Sequence, residues 1–243
     1  MKTSERHQLK TNEFAKAVMR ARELFLARQR QVTGVVIAVL VVLVGLAGFT
    51  MWRGQAAATA DALLAEAMAL AEAPLTPPTG TPGETTVWFA NETARAEAVL
   101  ERLTAVTAAY PSTASGIAAR YQSGSRLLQL GRPAEARAAF EDVVARAGTS
   151  LYGRMARLGL AEAHVLEGQF DAAIQIFRDL AAHQDGELPV DGLLMQLGRT
   201  YLAAGKPAEA LQSFQRVLDE HPQSIYAGEA RREAEAARVA SGV

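Results

Sequence analysis

The stretch YLAAGKPAEALQSFQRV (residues 201–217) occurs twice more in altered form, as LLQLGRPAEARAAFEDV (127–143) and HVLEGQFDAAIQIFRDL (164–180). The offset is 37 residues each time, so Gly131, Gly168 and Gly205 coincide, as do Ala136, Ala173 and Ala210, then Phe140, Phe177 and Phe214. The register extends outward: Pro111 and Pro222 stand three periods apart, and Leu103 and Val106 occupy the slots of Phe140 and Val143. A fixed period of this length marks stacked supersecondary units, and it outweighs any local propensity.

The physics of one unit can be read from its residues. A helix ends at a Gly free to take the left-handed conformation, a short turn follows (Arg-Pro, Gln-Phe or Lys-Pro), and a second helix starts. Small Ala residues let the paired helices approach, and the Phe four positions on fills the space where one pair meets the next. A single pair cannot bury its own apolar face, whereas stacked pairs can, which predicts an all-α solenoid closed by a polar end.

These positions resemble the tetratricopeptide repeat. In the third unit Leu194, Leu197, Gly198, Tyr201, Gly205, Ala210, Phe214 and Pro222 stand where that family shows its large residue, Leu-Gly, Tyr, Gly, Ala, Phe and Pro. The second unit keeps Leu160, Ala161, Gly168, Ala173 and Phe177, with His164 in place of the Tyr; the first keeps Gly124, Gly131, Ala136 and Phe140. The period exceeds the family's usual length of about 34 residues, so each link should carry three extra residues, in GTSL and QDGELPVDG. Units are expected at about 111–147, 148–184 and 185–222, with a polar capping helix within 223–243, from about Ser224 to Ala240.

Ahead of the repeats lies VTGVVIAVLVVLVGLAGFTMW (32–52), which holds no ionisable side chain. At about 1.5 Å per residue it reaches roughly 30 Å, the hydrocarbon thickness of a bilayer. Its twelve Val, Leu, Ile and Phe residues favour insertion by roughly 4 to 7 kcal/mol in all, and lipid forces the backbone into a helix. A single transmembrane helix that contacts membrane lipid is expected there. Residues 1–31 carry eight basic and three acidic groups, net +5; after Arg53 no Lys or Arg occurs until Arg95. The positive-inside rule puts the N-terminus in the cytoplasm and the C-terminal part across the membrane. A cleaved, soluble module is the rival reading, because Ala56-Ala57-Ala58 and Ala58-Thr59-Ala60 resemble small-residue cleavage sites. The same alanines suit the first turns of a helix continuing out of the membrane.

Residues 1–31 read as a basic amphipathic arm, with Phe14, Val18, Ala21 and Phe25 on one helical face. Such an arm serves as a topology anchor on anionic lipid or docks on a cytoplasmic face of another membrane protein. Residues 53–110 should hold a helix pair, about Ala57–Ala73 and Val87–Ala109, around the Pro-, Thr- and Gly-rich loop 74–86.

Composition excludes several functions. Residues 54–243 carry sixteen basic and twenty-three acidic groups, net −7, a field that repels nucleic acid. The chain has no Cys, which removes disulfides, thiolate metal sites and thiol catalysis. His7, His164, His183 and His221 are scattered without metal-ligand spacing, and His164 reads as a hydrogen-bonded structural residue. There is no Gly-rich phosphate loop and no nucleophile elbow. No catalytic residue, metal site or cofactor is expected, and the chain does not read as an enzyme.

What remains is surface. In tetratricopeptide repeats the first helix of each pair lines a concave groove. That resemblance implies Tyr121, Ser125, Leu128 and Gln129, then Leu158, Glu162, Val165 and Leu166, then Met195, Arg199 and Leu202 as its floor. Such a floor suits a peptide or a partner helix. The basic, Asn-bearing clamp by which some members hold C-terminal carboxylates is missing, since Tyr121 and Ser125 stand at two of its positions. Equally, Leu128, Val165 and Leu202 could pack between units.

A basic cytoplasmic arm, one span and an extracytoplasmic repeat domain together resemble the bacterial ancillary SecYEG translocon subunit family. That resemblance implies a non-enzymatic scaffold of the bacterial inner membrane, with a periplasmic domain that meets the Sec translocon, emerging chains or periplasmic chaperones. An organiser of envelope assembly or cell division would share the same layout.

Overall fold

The computed structural model describes Met19 and residues 29–77, 87–182 and 188–242. The arm expected at 1–31, His7, His183, most of loop 74–86 and part of the second inter-unit link lie largely outside the described residues. Among the described residues the chain is all-helical: α1 (Gln29–Ala71), α2 (Glu92–Ala109), α3 (Ala114–Gln129), α4 (Pro133–Ala147), α5 (Leu151–Leu166), α6 (Phe170–Ala182), α7 (Val190–Ala203), α8 (Pro207–Glu220) and α9 (Ala227–Ser241). It divides into two compact units at Gln55 and Ala56.

In the first unit the helix offers its apolar side chains outward, among them Val35, Leu40, Leu43, Val44, Phe49 and Trp52. Its most apolar window has a mean hydropathy of 2.6, and none of that window is buried. A soluble protein hides such a surface; this helix is long and apolar enough to cross a membrane. The Ala-rich residues after Trp52 continue α1 rather than opening a separate helix at Ala57, because Ala, Leu and Glu there all favour the helical backbone.

The second unit is a succession of antiparallel helices, each packed on the next from α2 to α9. Ala60 and Ala67, in the last part of α1, are buried, and Ala67 clusters with Val99, Leu103 and Val106 of α2 and Ala119 of α3. Leu103 and Val106 thus fill the core slots that the period assigned them. Helix α2 begins at Glu92, not at Val87. Asn91 takes an extended backbone and its side chain accepts from the Ala94 N–H at 2.8 Å. Upstream, the Phe89 N–H is spent on the Pro74 carbonyl at 3.0 Å, closing the base of the loop.

The three repeated glycines behave alike. Gly131, Gly168 and Gly205 have φ of 68°, 73° and 71°, a conformation that costs a residue with a Cβ about 1 to 2 kcal/mol. The amide after each one returns to a carbonyl five residues back: Arg132 to Leu127 at 2.9 Å, Gln169 to His164 at 2.8 Å and Lys206 to Tyr201 at 2.9 Å. These bonds close the last turns of α3, α5 and α7. Pro133 and Pro207 then open α4 and α8 where no amide donor is needed. Thr113 and Ser150 cap α3 and α5 through the Gly116 and Gly153 amides.

Phe140, Phe177 and Phe214 are among the largest fully buried side chains. Phe140 sits between two glycines of successive units: a Cβ on Gly124 would stand 2.7 Å from its ring, and one on Gly159 2.5 Å. Phe214 closes on Gly198 in the same way, at 2.5 Å. The stack ends at α9, which buries Ala230, Ala234 and Ala237 and turns Arg231, Arg232, Glu235 and Arg238 outward. It starts at Ala227, three residues later than Ser224, because Ser224 is used in the preceding turn. The Ser224 hydroxyl donates to Asp191 at 2.6 Å and accepts from the Tyr226 N–H at 3.0 Å.

Candidate partner-binding groove

The helices α3, α5 and α7 are the first members of their pairs, one period apart, so equivalent residues recur along one face of the stack. On that face a hollow of about 420 Å³ is lined by Leu128 and Gln129 from α3, Glu162, Val165 and Leu166 from α5, and Gln196, Arg199 and Thr200 from α7, with Phe177 of α6 reaching it from behind. Of the candidate groove residues, Leu128, Gln129, Glu162, Val165, Leu166 and Arg199 share this one hollow. Leu166 is 60 % exposed, an aliphatic side chain offered to solvent on a helix whose other face is buried.

The remaining candidates lie elsewhere. Tyr121 packs tilted against Phe140 at 5.8 Å between ring centres and meets Tyr152 edge-on at 5.9 Å. Ser125 donates to the Tyr121 carbonyl at 3.4 Å. Leu158 and Leu202 are half-buried against the core of the second and third units. Met195 is a correction: it is 1 % exposed and belongs to the core, so it offers no surface to a partner. It holds the slot of Tyr121 and Leu158, but in the last unit that slot lies inside the core cluster.

Three lining residues were missed by sequence reasoning. Phe177 is identifiable as a core residue of the period, yet its ring also reaches the hollow. Gln196 and Thr200 each follow an expected slot by one residue, and the signal for them is that they are the polar residues in the apolar run GLLMQLGRTYLA.

The charges around the hollow are unequal in their partners. Arg199 forms a close ion pair with Glu229 of α9. Glu162 has no ion pair or hydrogen bond with the described residues, and its burial pushes the carboxyl above the ordinary Glu range. Burial also raises the Tyr121 phenol, opposed by its hydrogen bond with Ser125 and reinforced by the nearby charge of Glu162. His164 is bonded through Nδ1 to Gln169 Oε1 at 2.6 Å, which makes it part of the turn after α5.

A stability prediction follows for Glu162. A carboxyl raised in the folded state favours the protonated form there, so it costs stability above its folded pKa, and that cost disappears as pH falls below the unfolded value. Glu162→Gln should raise the melting temperature at pH 7 and leave it unchanged at pH 3.5, as read by thermal denaturation at the two pH values. An unchanged or lower melting temperature at pH 7 would contradict the burial of an unpaired charge.

Tetratricopeptide-repeat family models match residues 121–187 and 193–224. The two matched stretches together cover less than half of the chain, and over them it is similar to the tetratricopeptide repeat. A crystal structure of the nearly identical repeats of a kinesin light chain-like protein from Podospora anserina aligns with a TM-score of 0.54 at 20 % identity, over 61 % of this chain and 79 % of that one. MamA aligns with a TM-score of 0.51 at 18 % identity, over 61 % of this chain and 80 % of that one. At these identities the likeness is one of fold. A comparison with curated protein sequences gives no match. Tetratricopeptide repeats in general bind proteins or peptides as interaction scaffolds.

Proposed function

We propose that the chain is a non-enzymatic, single-pass scaffold of the bacterial inner membrane. On this reading its repeat domain lies on the periplasmic side, receives protein segments in the hollow between α3, α5 and α7, and works beside the Sec translocon and the periplasmic chaperones. The observation that carries this reading is the hollow itself. Three consecutive first helices leave Leu128, Val165 and Leu166, with Phe177 of α6 behind them, around an open space of about 420 Å³ that the chain does not fill. Peptide-sized grooves of this kind combine apolar walls with a few polar points. The orientation is supported by the Lys and Arg flanking the span, eight before it and, after Arg53, none until Arg95. The Sec assignment is supported by the order of elements: arm, span, repeats.

A photocrosslinking amino acid placed in living cells at Gln129 or Leu166, in the groove, or at Gln212, on the second-helix side, tests this reading. Translocon subunits, chains in transit or envelope chaperones are expected from the two groove positions and not from Gln212. Capture of none of these from Gln129 and Leu166, or the same products from Gln212, would overturn it.

A further inference from the structure

The hollow carries an uncompensated charge, and this points to what it holds. Ser125, Glu162 and Arg199 occupy one slot of the repeat, a period apart, so the slot is neutral in the first unit, negative in the second and positive in the third. Only Glu162 and Arg199 are charged among the residues lining the hollow. Arg199 is cancelled from within the molecule by Glu229 of the closing helix α9. Glu162 is cancelled by nothing among the described residues, although Leu128, Val165, Leu166 and Phe177 line the same space.

We propose that Glu162 is a recognition point for a lysine or arginine side chain of a bound polypeptide whose neighbouring residues are aliphatic. This rests on the groove reading above and specifies its ligand. The walls fit the aliphatic neighbours and the stem of a long basic side chain, which packs on apolar surface while its charged head reaches an acceptor. The head would supply the hydrogen bonds that Glu162 does not receive inside the chain. An acidic or C-terminal carboxylate ligand is disfavoured at this point, because it would bring a second negative charge beside an already desolvated carboxylate. A half-buried carboxylate that has no partner costs stability, so its presence in the groove makes sense as a site held ready for a partner.

The test uses the full chain in lipid nanodiscs and three fluorescein-labelled, amidated peptides: Ala-Leu-Leu-Lys-Leu-Leu-Ala and its counterparts with Gln or Glu in place of Lys. By fluorescence anisotropy the Lys peptide should bind about tenfold more tightly than the Gln peptide, the scale of one charge-assisted hydrogen bond, and more tightly still than the Glu peptide. In Glu162→Gln the difference between the Lys and Gln peptides should vanish. Leu166→Ser should weaken all three, which places them in the hollow. Equal binding of the Lys and Gln peptides to the unaltered chain, or a Lys preference that survives Glu162→Gln, overturns the role of Glu162 and leaves the groove reading standing. If none of the three binds, the groove reading fails as well.

Discussion

Phe140→Ala is expected to destabilise the repeat domain by about 3 to 5 kcal/mol, the usual cost of truncating a fully buried aromatic ring. The ring is 1 % exposed and is gripped from both sides by backbone, at Gly124 in its own unit and Gly159 in the next. Its removal therefore leaves a void at the contact between units. Against a domain stability of about 5 to 15 kcal/mol this is a large fraction. Because solenoid stability is a sum of units and their interfaces, the loss should also lower cooperativity. Denaturant unfolding of the full chain in detergent, followed by circular dichroism, should show an earlier and broader transition. A loss below about 1 kcal/mol, the range of surface substitutions, would contradict the wedge. The converse change gives an internal check. Gly159→Ala should cost about 1 to 3 kcal/mol by overpacking, and adding Phe140→Leu should recover part of it, since the atoms a new Cβ would meet are those of the ring.

Much of this architecture was legible because the same physical problem is solved three times. A residue with positive φ must be Gly or be strained, so Gly131, Gly168 and Gly205 mark their turns without further information. Phe140, Phe177 and Phe214 mark the contacts between helices for the same reason: each is the large side chain in a slot bordered by small ones. The period fixes which face a residue occupies, but not how deep it lies. Met195 shows the difference, since it shares the slot of Tyr121 and Leu158 yet is buried where the stack closes.

Singular features were less visible. Val87-Trp88-Phe89 is an apolar run that reads as the start of a helix, and the true start is set by one side-chain bond at Asn91 and one backbone bond from Phe89 to Pro74. Ser224 is a good helix-capping residue by type, but its hydroxyl is taken by Asp191, thirty-three positions away. Contacts of that range leave no periodic trace. The groove was legible as a face, whereas the pairing of Arg199 with Glu229, which isolates Glu162, depends on where the last helix packs.

The effect expected to be all-or-none concerns the side of the membrane on which the repeats lie. Eight basic residues precede the span and the stretch from Gly54 to Ala94 has none. The cost of moving such a basic segment through the bilayer, at about 2.5 to 3.5 kcal/mol per charge at its centre, makes one orientation dominate. The direct measurement is cleavage, in intact right-side-out spheroplasts, at a specific protease site joined to an epitope after Val243. The tag should be lost on adding protease to the outside, with a cytoplasmic marker protein left whole. A tag that stays protected in spheroplasts and is cut only in inverted membrane vesicles would contradict the account.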